Sequence, residues 1–150
     1  MSKIATFFAL GAVSFLTATS AIAGPLDDIV TARQACMKAN GKAMGTFVPI
    51  VKGGPYDAAA VQTAIASMEA ACAGWASWWG EEAKTGETVV SRAKPEVWTD
   101  KATFDAAGMA YYNAVQALKA TTDEAGFKAA FGAVGGSCQG CHEKFQAPKG

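Results

Sequence analysis

The chain has 150 residues, of which 51% are hydrophobic and 17% are charged, a composition that fits one globular domain and excludes a largely disordered protein. Thirteen basic residues balance thirteen acidic residues, and no run of lysine and arginine occurs. This charge pattern excludes the basic surface on which nucleic-acid binding depends. Four cysteines and a single histidine are the residues that point to a particular chemistry.

Residues 1–23 have the pattern of a secretory signal peptide. Lys3 is followed by an apolar run over residues 4–16, and Ala21-Ile22-Ala23 has the small residues that a signal peptidase recognises. The apolar run is shorter than the roughly 20 residues that span a bilayer, which argues against a membrane anchor. We predict cleavage after Ala23 and a periplasmic domain over residues 24–150 with no membrane span. Its net charge is −1, because loss of Lys3 leaves twelve basic residues against thirteen acidic ones.

The first two predicted helices form an antiparallel pair. In residues 26–51 the core-facing positions recur at alternating steps of three and four residues, which indicates one face of a helix. These positions are Leu26, Val30, Arg33, Met37, Asn40, Met44, Phe47 and Val51. Residues 52–55 break the pattern with two glycines and a proline. A second helix is predicted from the positions Val61, Ile65, Met68, Cys72, Trp75 and Trp79.

Residues 80–98 show no sustained period and predict a long connection to two further helices. Thr99 or Asp100 is suited to cap the third helix, and Thr121 with Glu124 fits a capping box for the fourth. The third helix has the core positions Phe104, Gly108, Tyr111, Val115 and Leu118. The fourth has Phe127, Phe131, Val134, Cys138, Cys141 and Phe145. The sequence therefore predicts an all-α fold, an antiparallel four-helix bundle, in which cofactors lie between facing helices.

The segment Cys138-Gln139-Gly140-Cys141-His142 has the spacing of a covalent haem attachment site. Its two thiols can form thioethers with the haem vinyl groups, and the adjacent imidazole can bind the iron. A zinc site is the first alternative, but it needs a fourth ligand and the chain has no second histidine. A redox dithiol is the second, but that motif opens a helix in an α/β fold. We predict one haem c with Cys138 and Cys141 as attachment residues and His142 as an axial ligand.

Arg33 and Met37 lie one helical turn apart on the same face of the first helix. Burial of an arginine is costly without an acceptor, and a haem propionate matches its guanidinium. A methionine at the other axial position of the iron gives a low-spin, six-coordinate haem suited to electron transfer, whereas an apolar residue leaves that position open to a gas. Met37 is the first candidate ligand and Arg33 the candidate propionate partner. The next candidate ligand is Met44, followed by Met68 and Met109.

Four segments along the predicted domain resemble the class II cytochromes c, the family of cytochrome c′ and its low-spin relatives of the c-556 type. They are Arg-Gln-Ala-Cys-Met-Lys at 33–38, Val-Lys-Gly-Gly-Pro-Tyr-Asp at 51–57, Lys-Pro-Glu-Val-Trp at 94–98, and Ala-Ala-Phe-Gly-Ala-Val-Gly-Gly-Ser-Cys-Gln-Gly-Cys-His at 129–142. The resemblance implies a left-handed four-helix bundle with the haem attached near the carboxyl terminus.

The position of Met37 separates two behaviours in that family. In the c′ type an apolar or aromatic residue blocks the distal face, whereas in the low-spin type a methionine binds the iron. Met37-Lys38 followed by Asn40-Gly41 is similar to the low-spin pattern. The resemblance implies a one-electron carrier with His142 and Met37 as ligands, and the alternative is a five-coordinate protein that binds or buffers NO or CO. The expected partners are redox proteins, and the family also implies a homodimer through the first two helices.

No paired-carboxylate, nucleophile-base or phosphate-loop pattern occurs in the sequence, so we expect no enzymatic activity. Two features depart from the family. Gln146 follows Phe145 where members often have an arginine, so we expect a positive charge to be missing beside His142. Cys36 and Cys72 are additional, and a hairpin at residues 52–55 places them almost level on the first two helices. We predict a disulfide between them, with two buried free thiols as the alternative, and expect Cys72 to face the core with Cys36 on the flank.

Overall fold

The computed structural model describes residues 24–149, which form four long helices and one short helix. The helices are α1 (Pro25–Val51), α2 (Ala58–Ala71), α3 (Glu96–Thr99), α4 (Lys101–Lys119) and α5 (Glu124–Phe145). Helices α1 and α2 pack as one hairpin and α4 and α5 as another, with α3 as a single turn before α4. The predicted all-α four-helix bundle is confirmed, and the predicted signal peptide lies outside the described residues.

Aspartate side chains cap two of the long helices. Asp57 accepts from the amide of Ala60 at 3.0 Å at the start of α2, and Asp123 accepts from the amide of Gly126 at 2.7 Å at the start of α5. Such bonds satisfy amides that have no partner within the helix. The predicted capping box at Thr121 and Glu124 is therefore wrong.

The two residues of that predicted box are engaged elsewhere. The hydroxyl of Thr121 donates to the carbonyl of Leu118 at the end of α4, and the carboxylate of Glu124 pairs with Lys128. Asp100 precedes α4 as predicted, but its side chain makes no capping bond and instead pairs with Lys144 of α5 at 2.6 Å.

The second helix ends earlier than the periodicity predicts. Helix α2 stops at Ala71, and Trp75 lies in a 3-10 turn that covers Trp75–Ser77. The indole of Trp78 lies so close to Gly74 that a Cβ there would come within 2.6 Å of it. Because the chain turns on itself at this glycine, Trp75 and Trp79 leave the face of α2 and pack near the carboxyl end of α5.

The hydrophobic core consists of two clusters. The first lies at the end of the bundle near the α1–α2 turn and is centred on Phe47, Ile65, Leu118 and Phe127. The second is formed by Val97, Phe104 and Phe145, with Trp75, Trp79 and Trp98 packed against it. Cys138 contacts the first cluster and Cys141 the second, so the motif lies where the two clusters meet.

The buried line on α1 differs in part from the predicted stripe. Val30, Arg33, Asn40 and Phe47 are buried as predicted. In the intervening turns the buried positions are Cys36, Ala43 and Ile50, one residue before Met37, Met44 and Val51. Met37 and Met44 are half-buried because they line cavities described below, and Val51 is 39% exposed.

Hydrogen bonds tie the long connection both to α1 and to the end of α5. The fully buried carboxylate of Asp27 accepts from the amide and hydroxyl of Thr88 and from the amide of Val89, at 2.9, 2.6 and 2.9 Å. Further on, the amide of Lys94 donates to Phe145 and the amide of Ala147 donates to Arg92. The middle of the connection therefore lies against the start of α1, and its last residues lie against the end of α5.

A disulfide joins Cys36 to Cys72, with Cα atoms 4.8 Å apart. The predicted pairing is confirmed. The predicted burial is reversed, because Cys36 is fully buried and Cys72 is only half-buried beyond the end of α2. The bond fixes the middle of α1 to the end of α2, one residue before Met37.

Across residues 24–149, no helix combines the length and the apolar character that a membrane crossing requires.

Removal of the disulfide is expected to lower the free energy of unfolding by about 4 kcal/mol, because the bond restricts the unfolded chain over a long loop. The two cysteines are 36 residues apart. The measurement is guanidinium unfolding of the holoprotein and of Cys36→Ala/Cys72→Ala. Reductant should bring the wild-type protein to the stability of the variant and leave the variant unchanged. Equal stabilities without reductant would contradict this assignment.

Asp27 is expected to make the stability of the protein depend on acidic pH. Hydrogen bonds from the Thr88 side chain and from the amides of Val89 and Thr88 lower the pKa of Asp27 from 3.8 to about 2. Its stabilising contribution is therefore nearly complete at about pH 5 and is lost as the pH falls toward 2. Unfolding measured at both pH values should show a smaller loss of stability in Asp27→Asn than in the wild type. Asp28→Asn, at an exposed neighbouring position, is the control and should retain the wild-type dependence.

Candidate haem site

Two adjoining cavities lie beside the Cys138–His142 motif. The larger has a volume of about 500 Å³ and the smaller about 170 Å³. Both are lined by Met37 of α1, by Trp75, and by Cys141 and His142 of α5. The larger cavity alone is in the size range of ligand pockets in proteins, about 300–1,000 Å³.

The motif presents both thiols toward this space. Cys138 and Cys141 are half-buried, three residues apart and therefore on one face of α5. Burial raises the pKa of each thiol, and the charge of Cys138 also raises that of Cys141. Within residues 24–149 no group of three or more histidine, cysteine, aspartate and glutamate side chains is placed to hold a metal ion. The arrangement does not supply the zinc site considered as an alternative.

His142 follows Cys141 and lines both cavities. The residue is exposed on one side, but partial desolvation by the surrounding protein lowers the pKa of the imidazole, and the positive charge of Arg92 lowers it further. Both effects favour the neutral imidazole, which is the form that binds a metal. The motif thus provides two thiols and a neutral ring nitrogen donor on one wall of the space, which fits a covalently attached haem.

Arg33 is 5% exposed and lies on the α1 wall of the larger cavity. Its Nη2 donates to the carbonyl of Ala83, and its guanidinium lies 4.7 Å from the centre of the Trp79 ring. Its Nε and Nη1 are buried without a hydrogen-bond partner. Burial also lowers the pKa of this guanidinium.

An arginine in this state needs an anion, because a buried charge without a partner strongly destabilises a fold. The carboxylate of a haem propionate carries the charge that this guanidinium needs and can accept from one of its free N–H groups. The unsatisfied guanidinium is therefore the structural observation that best fits a haem in this cavity.

The four methionines considered as iron ligands occupy different environments. Met37 lines both cavities together with His142, whereas Met44 lines only the smaller one. Met68 is fully buried in the first core cluster, and Met109 is 55% exposed. The structure brings Met37 and His142 into one space and leaves Met68 and Met109 outside it.

Asn40 and Tyr111 form a contact that the sequence did not predict. The hydroxyl of Tyr111 on α4 donates to Oδ1 of Asn40 on α1 at 2.9 Å, and both residues line the smaller cavity. Burial is the main cause that raises the pKa of Tyr111 to about 12. An asparagine on the core-facing stripe was the signal that could have suggested a buried polar partner. The bond holds α1 against α4 three residues after Met37.

Arg92 is a second cationic residue that sequence reasoning missed. Its Nε donates to the carbonyl of Ala147 at 3.0 Å, and its Nη2 donates to the same oxygen. It lines the larger cavity with His142 and Gln146. The expectation that Gln146 leaves this side without a positive charge is therefore corrected, since a residue of the long connection supplies one.

Comparison with known protein families gives a match over most of the domain. The sequence model of a family described as Cytochrome C′ matches residues 28–146. A cytochrome c′ of Alcaligenes xylosoxydans xylosoxydans is 32% identical over 128 residues, covering 82% of this chain and 96% of the relative. A cytochrome c-556 of Rhodopseudomonas palustris is 30% identical over 139 residues, covering 90% of this chain and 92% of the relative.

Solved structures resemble the fold over the same region. The structure of cytochrome c′ from Rubrivivax gelatinosus superposes with a TM-score of 0.72 at 32% identity, covering 80% of this chain and 95% of that one. A nitric oxide complex of a cytochrome c′ variant from Alcaligenes xylosoxidans gives a TM-score of 0.70 at 30% identity, covering 83% and 97%. The matched region of the family model, residues 28–146, includes the motif at residues 138–142.

Proposed function

This chain belongs to the cytochrome c′ family of electron-carrying haem proteins, and from that premise we propose that it is a periplasmic one-electron carrier with His142 and Met37 as axial ligands. The family carries covalently attached haem c, for which Cys138 and Cys141 are the attachment residues. Bound haem supplies an iron that gains and loses one electron. The observation that supports Met37 is its position in both cavities with His142. The periplasmic location rests on the predicted signal peptide, and a homodimer through α1 and α2 rests on the family resemblance.

The surroundings of Met37 suit an electron carrier because they resist movement. The disulfide fixes Cys36 immediately before it, and Asn40 is bonded to Tyr111 three residues after it. A thioether held in this way keeps its position in both oxidation states, which reduces the rearrangement that accompanies electron transfer. The protein itself performs no catalytic turnover in this proposal.

A second candidate function is binding of NO or CO at a five-coordinate iron. It is favoured by the relatives, since several similar proteins are cytochromes c′ and several similar structures are nitric oxide complexes. By the names of the relatives alone, this candidate has the better support. The first candidate depends on the thioether at position 37 and on its place in the two cavities. The two functions differ in whether Met37 binds the iron in the resting protein.

Replacement of Met37 separates the candidates. In Met37→Leu, a change of similar volume, the oxidised protein should lose its thioether-to-iron charge-transfer band and become high-spin. Its reduction potential should fall, and the reduced protein should take up carbon monoxide readily. Absorption spectroscopy and potentiometry provide the measurements. Met44→Leu is the control, because Met44 lies two turns further along α1 and lines only the smaller cavity, and this variant should keep the wild-type spectrum. A high-spin spectrum of the wild-type protein would favour the gas-binding candidate.

Arg33 is expected to hold a propionate in its ionised form. Loss of a neighbouring cation should raise the pKa of that carboxyl by about 1–3 units. In Arg33→Leu, a plot of reduction potential against pH should therefore change slope at a higher pH than in the wild type. The reduction potential at neutral pH should fall. Arg33→Lys keeps the charge and should show a smaller change. An unaltered dependence of potential on pH in Arg33→Leu would show that Arg33 has another partner.

A further inference from the structure

The larger cavity is lined by four lysine and arginine residues and by no aspartate or glutamate from the part of the chain that the structure describes. They are Arg33, Lys38, Arg92 and Lys149. The smaller cavity is lined by none of these four residue types. Within residues 24–149 the ion pairs involve other lysines, so none of the four cations is neutralised by an acidic side chain of the described chain.

The excess of positive charge is local. The mature chain as a whole has a net charge of −1. A haem brings two carboxylates, which can offset two of the four cations. Arg33 is buried and Arg92 half-buried, whereas Lys38 and Lys149 are exposed where the cavity meets solvent. Two exposed cations therefore remain at the opening after the propionates are counted.

The acidic residue of α5 that is nearest in sequence to His142 does not neutralise the positive charge at the opening. Glu143 follows His142, but its carboxylate accepts from the side chain of Gln139 and it does not line the cavity. On the side of the connection, Arg92 is held by the carbonyl of Ala147, so its charge stays close to Lys149. The opening of the cavity is thus a patch of positive charge, in which Arg92 is held in place and Lys38 and Lys149 are exposed.

We propose that the opening formed by Lys38, Arg92 and Lys149 is the docking surface for redox partners that present an acidic surface. This inference rests on the proposed function, because it assigns the route by which the electron reaches the site. One electron leaves the reduced partner and enters the oxidised protein, or the reverse, and no bond or proton is transferred. Complementary charge at such a surface accelerates encounter and gives a short-lived complex, as electron exchange requires.

The first test locates the surface with a redox-inert anion. Paramagnetic hexacyanochromate(III) is titrated into the reduced, ¹⁵N-labelled holoprotein at low ionic strength. Amide signals of Lys38, Ala147 and Lys149 should broaden, and those near Lys52 should not. Lys52 follows α1, roughly 20 Å along the helix from Lys38. In Lys38→Glu/Lys149→Glu the broadening should disappear, whereas Lys52→Glu should keep it.

The second test measures electron transfer by stopped flow. Oxidation of the reduced protein by ferricyanide should slow as salt is added, although the negative net charge alone predicts the opposite sign. At low salt Lys38→Glu/Lys149→Glu should reduce this rate about tenfold and increase the rate with the cation tris(phenanthroline)cobalt(III). Lys52→Glu should stay within about twofold of the wild type. Reduction of the oxidised protein by an acidic flavodoxin should follow the ferricyanide pattern.

Broadening elsewhere on the surface, or a ferricyanide rate that rises with salt, would overturn the docking proposal. These outcomes are independent of the axial ligand. A high-spin protein whose opening still binds the anion would retain the docking surface and lose the Met37 assignment. A low-spin protein that binds no anion at the opening would retain the Met37 assignment and lose the docking surface.

Discussion

Burial of the Arg33 guanidinium constrains the whole arrangement of the bundle. Its Nε and Nη1 are buried with no acceptor from the described chain, and the residue lines the larger cavity. A fold with a buried, incompletely bonded cation beside a cavity of about 500 Å³ is unfavourable by itself, because it combines a desolvated charge with lost packing. Both defects are removed by one anionic, largely apolar group of the right size. The protein and its cofactor therefore stabilise each other.

The core is divided into two clusters on either side of the motif. Residues of α1, α2, α4 and α5 pack together in the first cluster, which includes Phe47 and Phe127. The aromatic residues Trp75, Trp79 and Phe104 form a second cluster that supports the far wall. Cys138 contacts the first cluster and Cys141 the second, so the motif lies where the two clusters meet.

Three attachments hold α1 around the candidate ligand. Arg33 is bonded to the long connection, Cys36 to the end of α2, and Asn40 to α4. Met37 lies between them, and its freedom to move depends on all three. Electron carriage and gas binding can therefore use nearly the same scaffold, since they differ in the bond made by one side chain.

The sequence by itself determined the features that depend on short spacing. The motif at 138–142 and the helical face that carries Arg33 and Met37 need only neighbours along one helix. Even the pairing of Cys36 with Cys72 needed only the register of one hairpin. The tertiary structure decided the early end of α2, the cap at Asp123, the anchoring of Thr88 on Asp27, and the place of Arg92 beside His142. Each of these depends on contacts made by irregular backbone or between distant segments, and such contacts leave no periodic pattern in the chain.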